Sequence, residues 1–354
     1  MTERIPVAIL GATGAVGQRF VQLLSGHPWF EIAGLAASER SAGQRYADAC
    51  RWVLDAPMPA VARDMPVLPI SPNLPGRVAF SALPGDLAGP IEEEMARAGF
   101  AVCSNASAHR MDDDVPLIIP EVNPEHIELI ARQRRQRGWT GFIATNPNCT
   151  ATVTVMALAP LMKAFGLRRL HAVSLQALSG AGYPGVPSLD ILGNVVPYIK
   201  GEEEKMEAEI AKMLGKLTEN GIVDARFEMY ASCARVPVID GHLESVVIRT
   251  SREASAEEAA KVLREFRAEP QRLSLPTAPE VPIIVREELD RPQPHWDVNA
   301  GSPARAKGMA VTVGRVRKKD KCIKLFLISH NTLRGGAGGS VLNAELACAK
   351  KLLG

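Results

Sequence analysis

The sequence predicts an α/β chain: a Rossmann-like nucleotide-binding domain, then an α+β domain with a mixed, largely antiparallel sheet. Three observations carry this. An apolar strand, a glycine-rich turn and an amphipathic helix follow one another over residues 6–24. Strand and helix patterns then alternate, as a parallel, doubly wound sheet requires. Beyond residue 165, longer strands with alternating apolar and polar residues succeed one another with few helices between them.

The first strand is Pro6-Val7-Ala8-Ile9-Leu10, and Gly11-Ala12-Thr13-Gly14-Ala15-Val16-Gly17 follows it. Arg19 to Leu24 then has helical period. The spacing G-x-x-G-x-x-G is a variant of the dinucleotide fingerprint. Its glycines permit a tight turn, and the helix N-terminus faces a pyrophosphate. Gly11, Thr13, Gly14, Ala15 and Val16 are therefore candidate cofactor contacts. A second strand, Glu31 to Ala36, ends at Ala37-Ser38-Glu39-Arg40-Ser41. NAD sites place an acid there for the ribose 2′-hydroxyl. Ser38, Arg40 and Ser41 instead suit a 2′-phosphate, so the expected cofactor is NADP; Glu39, if turned inward, would serve NAD.

Val78 to Leu83 reads as the next strand, and Asp86 as the cap of a helix running through Ile91, Met95 and Ala98. Phe100 to Asn105 is another strand. Arg110 lies in the loop after it, at the carboxyl end of the sheet, where ligands bind; it is a candidate anion clamp. Asp112-Asp113-Asp114 reads as a solvated turn rather than a metal site.

Phe142-Ile143-Ala144-Thr145 is strand-like and feeds Asn146-Pro147-Asn148-Cys149-Thr150. A helical pattern follows through Val153, Met156, Leu158 and Leu161. Cys149 is thus expected at or just before a helix N-terminus, where free N–H groups and the dipole favour a thiolate. A thiolate is the nucleophile that captures a carbonyl or acyl group. The bland alternative is a buried, inert cysteine.

The second domain begins with a strand over Arg169 to Leu178, and Ser179-Gly180-Ala181-Gly182 makes a flexible loop able to approach a cofactor. Further strands read over Phe227 to Val238, His242 to Arg249, Met309 to Arg315 and Lys324 to Ser329. Glu202-Glu203-Glu204-Lys205 opens a helix, where acids suit the dipole. Gln176, Arg235 and His242 are each unremarkable alone.

The 354 residues carry a net charge of +2, which argues against a nucleic-acid surface. No stretch is apolar and long enough for a bilayer span, so no membrane is expected. The N-terminus shows no signal-peptide core. The six cysteines form no C-x-x-C pair, which suits reduced thiols and a cytoplasmic location, and no Cys/His set has metal-ligand spacing.

Taken together, Gly11 to Gly17, Asn146 to Thr150, Gln176 to Gly182, Cys233 to His242 and Asn331 to Asn343 resemble the aspartate-β-semialdehyde dehydrogenases, in particular their archaeal and fungal-type branch. The resemblance spans nearly the whole chain. It implies that Asn148-Cys149 supplies the nucleophile and that His242 is the acid/base. It further implies that Arg235 grips the substrate carboxylate and Gln176 orients the substrate. Glu203 with Lys205 would assist at amine and phosphate, and Arg110 at phosphate. Ser179, Gly180 and Asn331 would line the cofactor. The final helix would return to the nucleotide domain, giving a discontinuous domain of residues 1–148 with 331–354, and a catalytic and dimerisation domain of 149–330.

The implied reaction is NADPH-dependent reductive dephosphorylation of L-aspartyl-4-phosphate to the 4-semialdehyde, releasing inorganic phosphate, on the way to lysine, threonine, methionine and isoleucine. A homodimer or homotetramer is expected. Two alternatives stand beside it: a malonyl-CoA reductase or other acyl-thioester reductase on this scaffold, and a non-catalytic NADP-binding regulator.

Overall fold

The computed structural model describes residues 3–353. They form two compact units. The first holds the chain up to Ile118, Pro124–Pro147 and the segment from Gly336 onward; the second holds Ile119–Asn123 and Asn148–Gly335.

The first unit is built on six strands: β1 (Ile5–Leu10), β2 (Phe30–Ala37), β3 (Val67–Pro69), β4 (Val78–Ser81), β5 (Ala101–Ser104) and β6 (Phe142–Thr145). They lie in the order β3-β2-β1-β4-β5-β6, and every pair is parallel. Every residue of β4, β5 and β6 is buried, as expected where helices cover both faces of a sheet. Leu10, Met95, Phe100, Val102 and Ile143 lie in one apolar cluster, and burying each such side chain contributes about 1.5–3 kcal/mol. The strand order reverses between β1 and β4, and ligands bind at such a switch point.

Glycine is required where β1 turns into helix Ala15–Leu24. Gly11 has φ 75°, and a Cβ on Gly17 would lie 2.2 Å from the Gly11 carbonyl oxygen. Helix Gly85–Arg97 begins behind Pro84 with no side-chain cap. Asp86 is therefore not the cap the sequence suggests; it sits inside the first turn, where its charge still meets the dipole.

The second unit carries β7 (Arg169–Gln176), the hairpin β8 (Lys216–Thr218) and β9 (Gly221–Val223), β10 (Glu228–Arg235), β11 (His242–Arg249), β12 (Ile283–Arg286), β13 (Val311–Lys319) and β14 (Cys322–Ser329). Its main sheet runs β10-β7-β11-β14-β13-β12. The pairs β10/β7 and β12/β13 are parallel and the other three antiparallel, so the sheet is mixed. β10 stops at Arg235, short of the Val238 read from the sequence. Pro237 has no N–H for a ladder, and Val238 N–H instead bonds the Val236 carbonyl in a tight turn.

Burial alternates along β7 and β11. Helices Cys149–Phe165 and Glu202–Met213 lie against this sheet. Register then aligns Arg235 of β10 with Gln176 of β7, and Cys233 with Ser174. Ser174 in turn pairs with Glu244 of β11. His242 starts β11 two residues before Glu244, so both point to the same buried face.

Candidate active site

Cys149 is the first residue of helix Cys149–Phe165. The cap is Asn148, whose Oδ1 accepts from the N–H groups of Thr150 (2.8 Å) and Ala151 (3.1 Å). The Asn148 N–H donates to Glu209 Oε2 at 2.6 Å, so the turn entering the helix is held from two sides. A Cβ on Gly335 would lie 2.7 Å from the Cys149 Cβ, so only glycine fits against the cysteine there.

His242 Nε2 is 3.2 Å from Cys149 Sγ. Its other nitrogen, Nδ1, accepts the Ala177 N–H at 3.1 Å. Burial, then the charges of Arg235 and His330, lower the His242 pKa from 6.5 to about 3. The ring is therefore neutral near pH 7. Because Nδ1 is an acceptor, its proton sits on Nε2, facing sulfur.

Arg235 Nη1 donates to the Ala177 carbonyl at 2.7 Å. One residue thus orients both groups, Ala177 giving its N–H to His242 and its C=O to Arg235. Desolvation lowers the Arg235 pKa, opposed by the negative charges of a Cys149 thiolate and Glu202. A Cβ on Gly180 would lie 2.9 Å from Arg235 Nη1 and 2.9 Å from His242 Cε1. The glycine keeps open the space over both side chains.

Gln176 Nε2 lies within hydrogen-bond reach of Thr150 Oγ1 (2.9 Å), Glu202 Oε1 (3.0 Å) and Ser174 Oγ (3.2 Å). Glu202 Oε1 also accepts from Asn148 Nδ2 and Thr150 Oγ1, each at 2.9 Å. The buried acid of this cluster is therefore Glu202. Glu203, the acid read from the sequence, turns to β10 and accepts the Cys233 N–H at 2.8 Å. Lys205 is exposed in the first turn of the same helix. The missed signal was spacing: Glu202 and Lys205, three apart, share a helix face, whereas Glu203 and Lys205 do not. Ala177 left no signal, because it acts through backbone alone.

Asn331 braces two loops of this unit. Its Oδ1 accepts the Gly241 N–H at 2.9 Å, and its Nδ2 donates to Ser179 Oγ at 2.8 Å.

In the first unit, Gly14 caps helix Ala15–Leu24 without any side-chain hydrogen bond. A Cβ on Gly11 would lie 2.8 Å from the Ala82 carbonyl oxygen. The Gly11 and Gly14 N–H groups close the turn itself, on the Ala36 and Gly11 carbonyls; with Thr13 it leads into the helix N-terminus at Ala15 and Val16, whose orientation fits a dinucleotide pyrophosphate. Ser38 and Arg40 are exposed just past the end of β2, and the Ser41 N–H closes a turn on the Ser38 carbonyl at 2.9 Å. Arg110 is buried in this unit, its Nη2 donating to the Asn105 carbonyl at 2.7 Å. Beside it, burial raises the Glu92 carboxyl pKa, and Ser104 Oγ donates to Glu92 Oε1 at 2.6 Å. Among the described residues, no cluster of His, Cys, Asp or Glu is arranged to hold a metal ion, and no helix is long and apolar enough to cross a membrane.

Comparison with known proteins agrees over the whole chain. A family model described as semialdehyde dehydrogenase, NAD binding domain, matches residues 6–130, and its companion, semialdehyde dehydrogenase, dimerisation domain, matches residues 158–334. The chain is 52% identical over 352 residues to an aspartate-semialdehyde dehydrogenase of Archaeoglobus fulgidus, covering 99% of this chain and 100% of that protein. It is 40% identical over 357 residues to a malonyl CoA reductase (NADP) of Metallosphaera sedula, covering 99% and 98%. Among solved structures, an aspartate semialdehyde dehydrogenase with NADP from Candida albicans matches with TM-score 0.90 at 40% identity, covering 99% and 100%.

Proposed function

The chain belongs to the semialdehyde dehydrogenase family, and from that premise we propose that it is an NADP-dependent, phosphorylating aspartate-semialdehyde dehydrogenase. It interconverts L-aspartyl-4-phosphate and L-aspartate 4-semialdehyde through a thioester on Cys149. The observation that carries this is the 3.2 Å approach of His242 Nε2 to Cys149 Sγ at a helix N-terminus, with Arg235 held by the same residue that holds His242.

Cys149 attacks the acyl carbon, and phosphate leaves. Splitting the reaction through an acyl-enzyme replaces one difficult step by two easier ones. Arg235 spends Nη1 on Ala177, and its remaining donors suit a paired grip on the α-carboxylate. Glu202 places a carboxylate in the same cluster, complementary to the α-ammonium. Gln176 and Thr150 hold Glu202 in place. Lys205, on the same helix as Glu202, offers positive charge for the phosphoryl group. NADP is assigned to the Gly11–Val16 turn with Ser38, Arg40 and Ser41 at the 2′-phosphate, and when bound it supplies the hydride that reduces the thioester. His242 presents Nε2–H to the sulfur and to an oxyanion on the carbon that sulfur carries. A full proton transfer needs the imidazolium. A substrate carboxylate on Arg235 neutralises one of the charges that disfavour it.

The malonyl-CoA reading is the second one. Glu202 disfavours it, since a malonyl group has no ammonium to meet that carboxylate. The chain acts on a small molecule and is an oligomer of the family's dimerising kind. We assign a homodimer or homotetramer, with Val173 and Tyr230 on the open face of the second sheet as interface residues, and a cytoplasmic location. The deciding assay follows NADP reduction by aspartate semialdehyde, with phosphate and then with coenzyme A as acyl acceptor. Turnover supported by phosphate alone supports the proposal; turnover supported by coenzyme A alone overturns it.

A further inference from the structure

Glu244 lies two residues beyond His242 on β11, and its side chain is fully buried. Its carboxyl oxygen Oε2 accepts a hydrogen bond from the Thr154 hydroxyl, which donates from Oγ1. Its other oxygen, Oε1, has no partner. Thr154 stands on helix Cys149–Phe165, little more than one turn after Cys149. One side-chain bond therefore ties the strand that presents His242 to the helix that presents Cys149. A leucine here would bury more apolar surface and leave no orphan oxygen. Retaining an acid at such a position costs stability and implies a role.

We propose that Glu244 is a positioning residue: through Thr154 it pins the helix to β11 and so fixes the spacing between Cys149 and His242. This rests on the reading of Cys149 and His242 given above. Glu244 acts as the neutral acid. The groups facing it are Glu202 from helix Glu202–Met213, Cys233 from β10 and Ser174 from β7, with His242 on its own strand. None is a cation that would favour its ionised form near pH 7. The Cys233 thiol is itself pushed up to about 11 by burial, and burial likewise raises the Glu244 carboxyl. The neutral amide of glutamine, with nearly the same shape, should therefore take its place.

The test compares Glu244→Gln, Glu244→Leu and Thr154→Val. The pH dependence of iodoacetamide modification, read at the Cys149 peptide by mass spectrometry, is measured beside kcat. The alkylation arm needs no substrate, so it reports on Glu244 even if the assigned substrate is wrong. Glu244→Gln should keep both readouts within about threefold of wild type, because its hydrogen bond persists. Glu244→Leu and Thr154→Val should move the alkylation midpoint upward by about one pH unit, since sulfur loses its Nε2–H partner. They should also lower kcat by roughly tenfold or more, the scale on which misplaced reacting groups act. If Glu244→Leu does not fold, Thr154→Val decides alone. A wild-type midpoint in a folded bond-breaking variant overturns the proposal by leaving Glu244 a packing role. A glutamine variant as impaired as the leucine variant overturns the neutral-acid form.

Discussion

His242 faces the sulfur of Cys149 with a proton rather than a lone pair. The Ala177 N–H occupies Nδ1, and the buried ring stays neutral, so Nε2 carries hydrogen 3.2 Å from Sγ. In the free enzyme the imidazole is therefore a hydrogen-bond donor that favours the thiolate, not a base waiting to remove a thiol proton. Nitrogen-detected NMR on His-labelled protein checks this. The His242 signal should show the Nε2–H tautomer and no titration between about pH 8 and pH 5, well above its lowered pKa. A midpoint near the ordinary histidine value would contradict it.

The same burial makes stability depend on pH. The unfolded chain gains a proton at His242 as pH falls below about 6.5, and the folded protein resists until about 3. Stability is full above that window and declines as pH falls through it. Glu244 has the opposite sign: its raised pKa gives a contribution present below the ordinary value of 4.5 and lost as pH rises toward the folded value. Chemical unfolding at about pH 7.5 and about pH 5.5 separates the two. His242→Asn should lose less stability than wild type over that interval. An equal loss would place the acid sensitivity in another group.

Gly180 leaves room over the two anchored side chains. In Gly180→Ala the new Cβ would press on Arg235 Nη1 and His242 Cε1, both 2.9 Å away. Gly180 is exposed and φ is not positive there, so the fold should survive. Steady-state kinetics should show kcat/KM for the semialdehyde down by roughly tenfold to a hundredfold with Tm unchanged. Wild-type kinetics would mean that the loop moves aside at no cost.

Cofactor choice is expected to lie in the turn after β2. Arg40→Ala should raise KM for NADP by roughly ten- to a hundredfold, the usual range for a hydrogen bond to a charged group, and leave NAD little changed. A loss shared equally by both cofactors would remove Arg40 from the 2′-phosphate.

What the sequence made legible follows the reach of each signal. The buried parallel strands stand out because β4, β5 and β6 each open with three consecutive apolar residues, and Cys149 at a helix start because strand, turn and helix are contiguous. Gln176, Arg235 and His242 are individually plain. They become neighbours only through the β10-β7-β11 register, which joins segments dozens of residues apart. Glu202 and Glu203 differ by one position on a helix, about 100° of rotation, and that decides which one enters the cluster. Ala177 contributes only peptide groups, which every residue has.

The thioester proposed on Cys149 is best tested by a burst experiment: the enzyme is mixed with aspartate semialdehyde and NADP in phosphate-free buffer. One NADPH per active site should form rapidly and then stall, with the aspartyl group found by mass spectrometry on the Cys149 peptide. Added phosphate should restart turnover, and Cys149→Ala should give no burst. A burst from Cys149→Ala, or phosphate-free turnover that leaves no aspartyl group on the Cys149 peptide, would contradict covalent catalysis at this cysteine.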